Sequence, residues 1–92
     1  MKITWRPRAV DDFERLIDQS SAGNMANASR DKSLLETRIQ QLVRFEQLGR
    51  KSRRIGVREL PIEGTPYVVV NRRLEDELLI VRIFHNGKAT LA

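Results

Sequence analysis

A chain of 92 residues with 40% apolar residues has room for one domain with a single modest core. It has no cysteine, which excludes disulfides and thiolate chemistry. No apolar run approaches the ~20 residues of a membrane span, and the first residues show no signal-peptide core. We therefore expect a cytoplasmic protein without a membrane segment.

The N-terminal half predicts a short strand and a helical hairpin. Residues 2–5 alternate polar and apolar side chains, and Pro7 suits the first turn of a helix that runs to about residue 18 or 20. Residues 20–24 break this pattern, and a second helix follows from 24–27 to about Glu46. The apolar stripes of the two helices have helical spacing and comprise Val10, Phe13, Leu16 and Ile17, then Leu35, Ile39, Leu42 and Val43.

The C-terminal half predicts a sheet. Gly49 is expected to end the second helix, and a basic loop follows at residues 50–54. Strands are predicted at about 55–62, 66–73 and 78–84, with a few more paired residues at 88–91. The pattern therefore predicts one α+β domain over residues 1–92. In it, an N-terminal strand and a two-helix hairpin pack on a twisted antiparallel sheet of about four strands.

The last strand carries an arginine inside an apolar run. Strict alternation would place Leu79, Val81, Ile83 and His85 on one face and Leu78, Ile80, Arg82 and Phe84 on the other. The helices can cover one face, so the face with Arg82 is predicted to meet a partner or substrate. A buried arginine is costly unless an anion meets it. The structural alternative is an ion pair with an acid of a neighbouring strand, in the hairpin at residues 75–77.

The net charge of +5 is concentrated in one band, residues 44–58, with six basic residues against the single acid Glu46. Thirteen of the seventeen basic residues are arginine, whose planar fork suits phosphate and carboxylate groups. The band predicts contact with a polyanion or an acidic protein, and the alternative is a solvated charged loop. The residues assigned to nucleic-acid or target binding are Arg50, Lys51, Arg53, Arg54 and Lys88.

Three residues are candidates for catalysis if the chain cleaves RNA. Arg58 and Arg82 could stabilise a phosphorane, and His85 is the only histidine, the side chain best suited to acid–base catalysis near neutral pH. Arg58 has a structural alternative in an ion pair with Glu59 or Glu63, of which Glu59 is the poorer partner because neighbours in a strand point to opposite faces. His85 has a structural alternative in a hydrogen bond to backbone at the strand end. We predict no metal site and no cofactor, because ligand clusters and a glycine-rich phosphate loop are both missing from the sequence.

Five blocks of sequence follow one another in a recognisable order. They are AVDDFERLI at 9–17, FEQLGR at 45–50, GVREL at 56–60, PYVVV at 66–70 and IVRIFHNG at 80–87. With these blocks the chain resembles the RelE/ParE superfamily of toxins from type II toxin–antitoxin modules. The last three blocks are the most specific, and the resemblance covers nearly the whole chain.

The resemblance implies a compact α+β toxin that is neutralised by a small antitoxin. The PYVVV block is typical of the ParE-type branch, which implies inhibition of DNA gyrase. We expect an acidic amphipathic segment of the antitoxin to cover Ile80, Arg82 and Phe84 together with the helical hairpin. Two alternatives stay open. One is a RelE-like mRNA endonuclease that acts on the ribosome through Arg58, Arg82, His85 and Lys88, and the other is a non-toxic binding domain of the same fold.

Overall fold

Two helices lie against one face of a five-stranded mixed sheet. The computed structural model describes residues 1–23, 25–45 and 47–85. Neither helix has the length and hydropathy that a membrane-spanning helix needs. The predicted α+β fold is confirmed. Its elements in chain order are β1 (Lys2–Trp5), α1 (Pro7–Gly23), α2 (Met25–Arg44), β2 (Arg50–Lys51), β3 (Arg58–Pro61), β4 (Tyr67–Arg73) and β5 (Glu77–His85).

The sheet places the N-terminal strand beside the C-terminal one. Its strand order is β1-β5-β4-β3-β2, with β1 parallel to β5 and the other pairs antiparallel. The sheet of about four antiparallel strands that was predicted thus gains the two-residue edge strand β2 and a parallel pair at the opposite edge. Pairing between β1 and β5 stops at Ile80. The outer edge of residues 81–85 therefore has no strand beside it in the described part of the chain. The predicted pairing at 88–91 lies outside the described residues.

The core joins both helices to the sheet. α2 contributes Leu35, Ile39 and Leu42, which are at most 3% exposed and lie at the predicted helical spacing. Burying one such side chain stabilises the fold by about 1.5–3 kcal/mol, so this stripe is the main attachment of α2. The strand side of the same core comprises Leu60, Ile62, Tyr67, Val69, Leu78, Ile80 and Ile83.

Contacts between distant segments lie near the ends of the helices. α1 continues to Gly23, beyond its predicted end, and the hydroxyl of Ser20 donates to Asp31 of α2 at 3.0 Å. α2 stops short of residue 46, and Nη2 of Arg73 donates to the carbonyl of Leu42 at 2.6 Å. This bond satisfies a carbonyl in the last turn of α2 that has no partner within the helix.

A β-bulge in β5 changes which side chains face the helices. The register shifts between Val70 and Asn71 of β4, which leaves Val81 of β5 without an opposite residue. One extra residue shifts the alternation of every side chain beyond it. The strict alternation predicted for β5 is therefore wrong, because it separated residues that form one buried row. That row comprises Leu78, Ile80 and Ile83.

Candidate functional site

The arginine that was predicted to face a partner is held by an acid of α1. Nε of Arg82 donates to Oδ2 of Asp12 at 2.7 Å, and Nη2 donates to Oδ1 at 3.1 Å. Asp12 is 2% exposed and also accepts bonds from the backbone N–H of Ile83 at 2.9 Å and from Arg15 at 3.1 Å. At this edge of β5 the carboxylate therefore accepts a backbone hydrogen bond that a carbonyl of a neighbouring strand would otherwise accept.

The electrostatics of this pair favour its charged form. Burial raises the pKa of Asp12, but the hydrogen bonds from Arg82 and from the Ile83 amide, with the charges of Arg82 and Arg15, outweigh it and lower the pKa below its usual value. The hydrogen bond to Asp12 in turn raises the pKa of Arg82. The guanidinium also lies 4.8 Å from the ring centroid of Phe84. Arg82 is thus neutralised within the chain.

The structure decides between the two alternatives for Arg82 and corrects two predictions about this face. Arg82 forms an ion pair within the chain and needs no external anion, but its acid belongs to α1 instead of the hairpin at residues 75–77. Ile80 is 0% exposed in the helix–sheet core, so an antitoxin cannot contact its side chain while the domain stays folded. Phe84 is half-buried and keeps an accessible part.

The three catalytic candidates do not form one site. Arg58 lies opposite Asn71 in the sheet, whereas His85 lies opposite Tyr67. The four residue steps from Tyr67 to Asn71 on β4 span about 13 Å. Arg82 is committed to its ion pair. This arrangement does not support a nuclease in which all three side chains act on one phosphate.

Each of the two remaining candidates has its own contacts. Nη2 of Arg58 donates to the carbonyl of Gly49 at 2.7 Å. Glu59, the poorer of the two acids considered for Arg58, pairs with Arg50 at 3.4 Å instead. The ring of His85 packs edge-to-face against Tyr67, with centroids 6.1 Å apart.

Basic side chains from two distant segments meet beside the β2–β3 connection. We call this the basic pocket, a cleft of about 390 Å³ whose charged lining residues are all cationic. Sequence reasoning identified the 50–58 part of it but missed the contribution of β4. Lys88 lies outside the described residues. The charged lining residues are Lys51, Arg53, Arg54, Arg58 and Arg73.

An apolar groove of about 750 Å³ runs between β1 and the two helices. Trp5 and Phe13 meet edge-to-face there, with centroids 5.5 Å apart, and Val10 is 38% exposed. Sequence reasoning treated these side chains as ordinary core, so it did not predict the groove. Its apolar lining is Ile3, Trp5, Val10, Phe13 and Ile39, and its charged rim is Glu14, Lys32 and Glu36.

Comparison with known families identifies the class of this chain. The sequence matches the family model for the ParE toxin of the type II toxin–antitoxin system parDE over residues 3–89. The chain belongs to the ParE toxin family. The resemblance predicted from the sequence blocks is therefore confirmed, including the closer likeness to the ParE-type branch.

Solved structures support the fold of this ParE-family chain. It is similar to a chain from the chromosomal ParDE toxin–antitoxin system of P. aeruginosa, with a TM-score of 0.70 and 23% identity over 95% of this chain and 97% of that chain. It is also similar to a conserved hypothetical protein of Helicobacter pylori, with a TM-score of 0.55 and 19% identity over 90% and 91% of the two chains. At these identities the likeness shows the fold alone. A search of curated proteins found no significant match.

The site chemistry of this ParE-family chain consists of charge and apolar surface. Within the described residues, no group of three or more histidine, aspartate or glutamate side chains could hold a metal ion. Two accessible surfaces of the described residues are the basic pocket and the apolar groove. They lie towards opposite edges of the sheet, because β1 and β2 are its two edge strands.

Proposed function

We propose that this chain is a toxin that inhibits DNA gyrase and is neutralised by a cognate antitoxin. The observation that carries the proposal is the match to the ParE toxin family over residues 3–89. Two accessible surfaces suit two different partners. The basic pocket, together with Arg50, meets the target, and the apolar groove receives the antitoxin.

The apolar groove suits the non-polar face of an amphipathic helix. Trp5 and Phe13 are half-buried at its floor, and Val10 is exposed at its lip. Helix-in-groove recognition places such anchors at helical spacing, and a stable interface buries more than about 1,000 Å² in total. We therefore assign the antitoxin contacts to this groove instead of to the predicted Ile80 and Arg82.

One experiment tests the antitoxin surface. The product of a small acidic reading frame beside this gene, when co-expressed, is expected to restore growth. Val10→Asp should keep toxicity but lose neutralisation, because a charge would enter the groove. Leu74→Asp is the matched control, since Val10 and Leu74 are both 38% exposed and Leu74 lies outside the groove. Neutralisation of Val10→Asp as complete as that of Leu74→Asp would contradict the assignment.

A second experiment tests the target. Purified chain is added to gyrase, ATP and relaxed plasmid, and supercoiled and linear products are measured. We expect supercoiling to fall and linear DNA to accumulate. Full supercoiling by gyrase, with messages cleaved on translating ribosomes by the same preparation, would exclude gyrase as the target and favour the nuclease.

A further inference from the structure

The fold adds arginines of β4 to the basic loop. Arg73 lines the basic pocket, and Nε of Arg72 lies 3.7 Å from the point where a Cβ would stand on Gly56. Gly56 has a φ of +79°, a conformation that tightens the turn of the loop at this point. Cationic groups from residues 51–58 and from the end of β4 thus converge on one cleft.

The inner and outer cations of the basic pocket differ in their contacts. Arg58 and Arg73 are anchored by bonds to the carbonyls of Gly49 and Leu42, and Nε of Arg58 is buried without a partner among the described residues. Lys51, Arg53 and Arg54 are exposed, and the described residues offer their side chains no acid. Arg58 and Arg73 therefore form a fixed cationic floor of the pocket, and the three exposed side chains form an outer rim of unneutralised charge.

The loop also exposes a large apolar side chain at its tip. Ile55 is 98% exposed between Arg54 and Gly56. An isoleucine in this position gains no burial from the described part of the fold, so its whole side chain is available to an external partner. Proteins that bend DNA from the minor groove frequently insert such an apolar wedge between base pairs. Arginine and lysine side chains of DNA-binding proteins contact the phosphates.

We propose that the loop at residues 51–57 contacts duplex DNA, with phosphates at the rim of the basic pocket and Ile55 as a wedge in the minor groove. An acidic protein is the weaker candidate, because the charged lining of this cleft consists of five cations, and a duplex offers such a cluster a regular row of phosphates. Arginine forks also suit phosphate oxygens. The inference deepens the proposed function, since it assigns the DNA of the gyrase–DNA complex as a direct contact of the toxin.

The test measures binding of the full chain to a short fluorescent duplex by anisotropy, between about 50 and 200 mM salt. The double variant Arg53→Gln/Arg54→Gln should reduce the slope of log affinity against log salt by about two, because each phosphate contact contributes about 0.9. The matched control is Arg6→Gln/Arg8→Gln, a pair that is also exposed and has the same charge change beside the opposite edge strand. Thermal unfolding confirms that both variants are folded. Equal slopes for the two variants would overturn the proposal.

The wedge has a separate readout. Ile55→Ala removes no charge, so the salt slope should not change. Bending of the duplex by about 20–90°, measured by energy transfer between its ends, should be lost. Absence of bending by the parent chain would overturn the wedge, and a parent chain that binds gyrase but no free duplex would overturn the DNA contact in favour of a protein contact.

Failure of this inference and failure of the proposed function are distinguishable. Gyrase inhibition without binding to free duplex leaves the proposed function intact and removes the DNA contact. Duplex binding with the predicted salt slopes, without any effect on gyrase, keeps the DNA contact and removes the proposed inhibition of gyrase.

Discussion

Removing either partner of the Asp12–Arg82 pair should destabilise the domain. Asp12→Ala would leave the guanidinium of Arg82, whose side chain is 22% exposed, without its carboxylate, and the N–H of Ile83 without its acceptor. Breaking a buried pair in this way costs about 3–5 kcal/mol. We expect about 3 kcal/mol, because Arg82 keeps some solvent and the ring of Phe84. A domain of this size has a free energy of unfolding of only about 5–14 kcal/mol.

Urea unfolding monitored by tryptophan fluorescence measures this loss. Trp5 is the only tryptophan, and its packing on Phe13 makes its emission sensitive to unfolding. Arg82→Ala should lose a similar free energy of unfolding. The double variant Asp12→Ala/Arg82→Ala should lose at least about 1 kcal/mol less than the sum of the single losses, since neither charge is then left alone.

Arg15→Ala is the control for this cycle. Arg15 contacts the same carboxylate at 3.1 Å but is 57% exposed, so its loss should cost less than about 1 kcal/mol. Single losses of Asp12 and Arg82 no larger than that of Arg15, or strictly additive losses, would show that the two residues do not form a coupled buried pair. If the two losses are large and coupled, loss of toxicity in Arg82→Ala reports instability and does not mark Arg82 as a target contact.

Three further predictions concern stability. Because the pKa of Asp12 is lowered in the folded state, ionised Asp12 stabilises the fold at pH values above 3.8, the usual pKa of the group. This stability is lost as the pH falls through the still lower pKa of the folded state. Asp12→Asn should therefore show a smaller acid-induced fall in urea midpoint than the parent chain. Leu42→Asp should abolish cooperative thermal unfolding, because Leu42 is 1% exposed in the core; an unchanged melting temperature would mean that the buried face of α2 is misassigned. Gly49→Ala should lower the free energy of unfolding by about 1–3 kcal/mol, because the added Cβ would lie 3.0 Å from the carbonyl oxygen of Glu59. A urea midpoint equal to that of the parent chain would show that β3 shifts without loss of stability.

The helical hairpin could be predicted because local periodicity determines it. Leu35, Ile39 and Leu42 repeat at the spacing of one helix face, and all three are buried where that spacing places them. The parallel pairing of β1 with β5 could not be predicted in the same way. It joins residues 2–5 to residues 77–80, and no local pattern encodes which strand an N-terminal strand will join.

The candidate site was less predictable, because its main contacts depend on tertiary structure. Asp12 and Arg82 are 70 residues apart, and the acid looked like an ordinary N-terminal helix residue. The bulge at Val81 has no marker such as glycine, yet it decides that Ile80 and Ile83 share the core. Arg73 joined the basic pocket only because β4 ends beside the β2–β3 loop.

Induction of this chain in growing cells, with chromosomal double-strand breaks and the 5′ ends of messages mapped in the same samples, separates inhibition of gyrase from cleavage of mRNA. A ParE-family toxin that acts on gyrase is expected to produce breaks and leave messages intact. Messages cut at codons within ribosomes, with an unbroken chromosome, would exclude gyrase as the target.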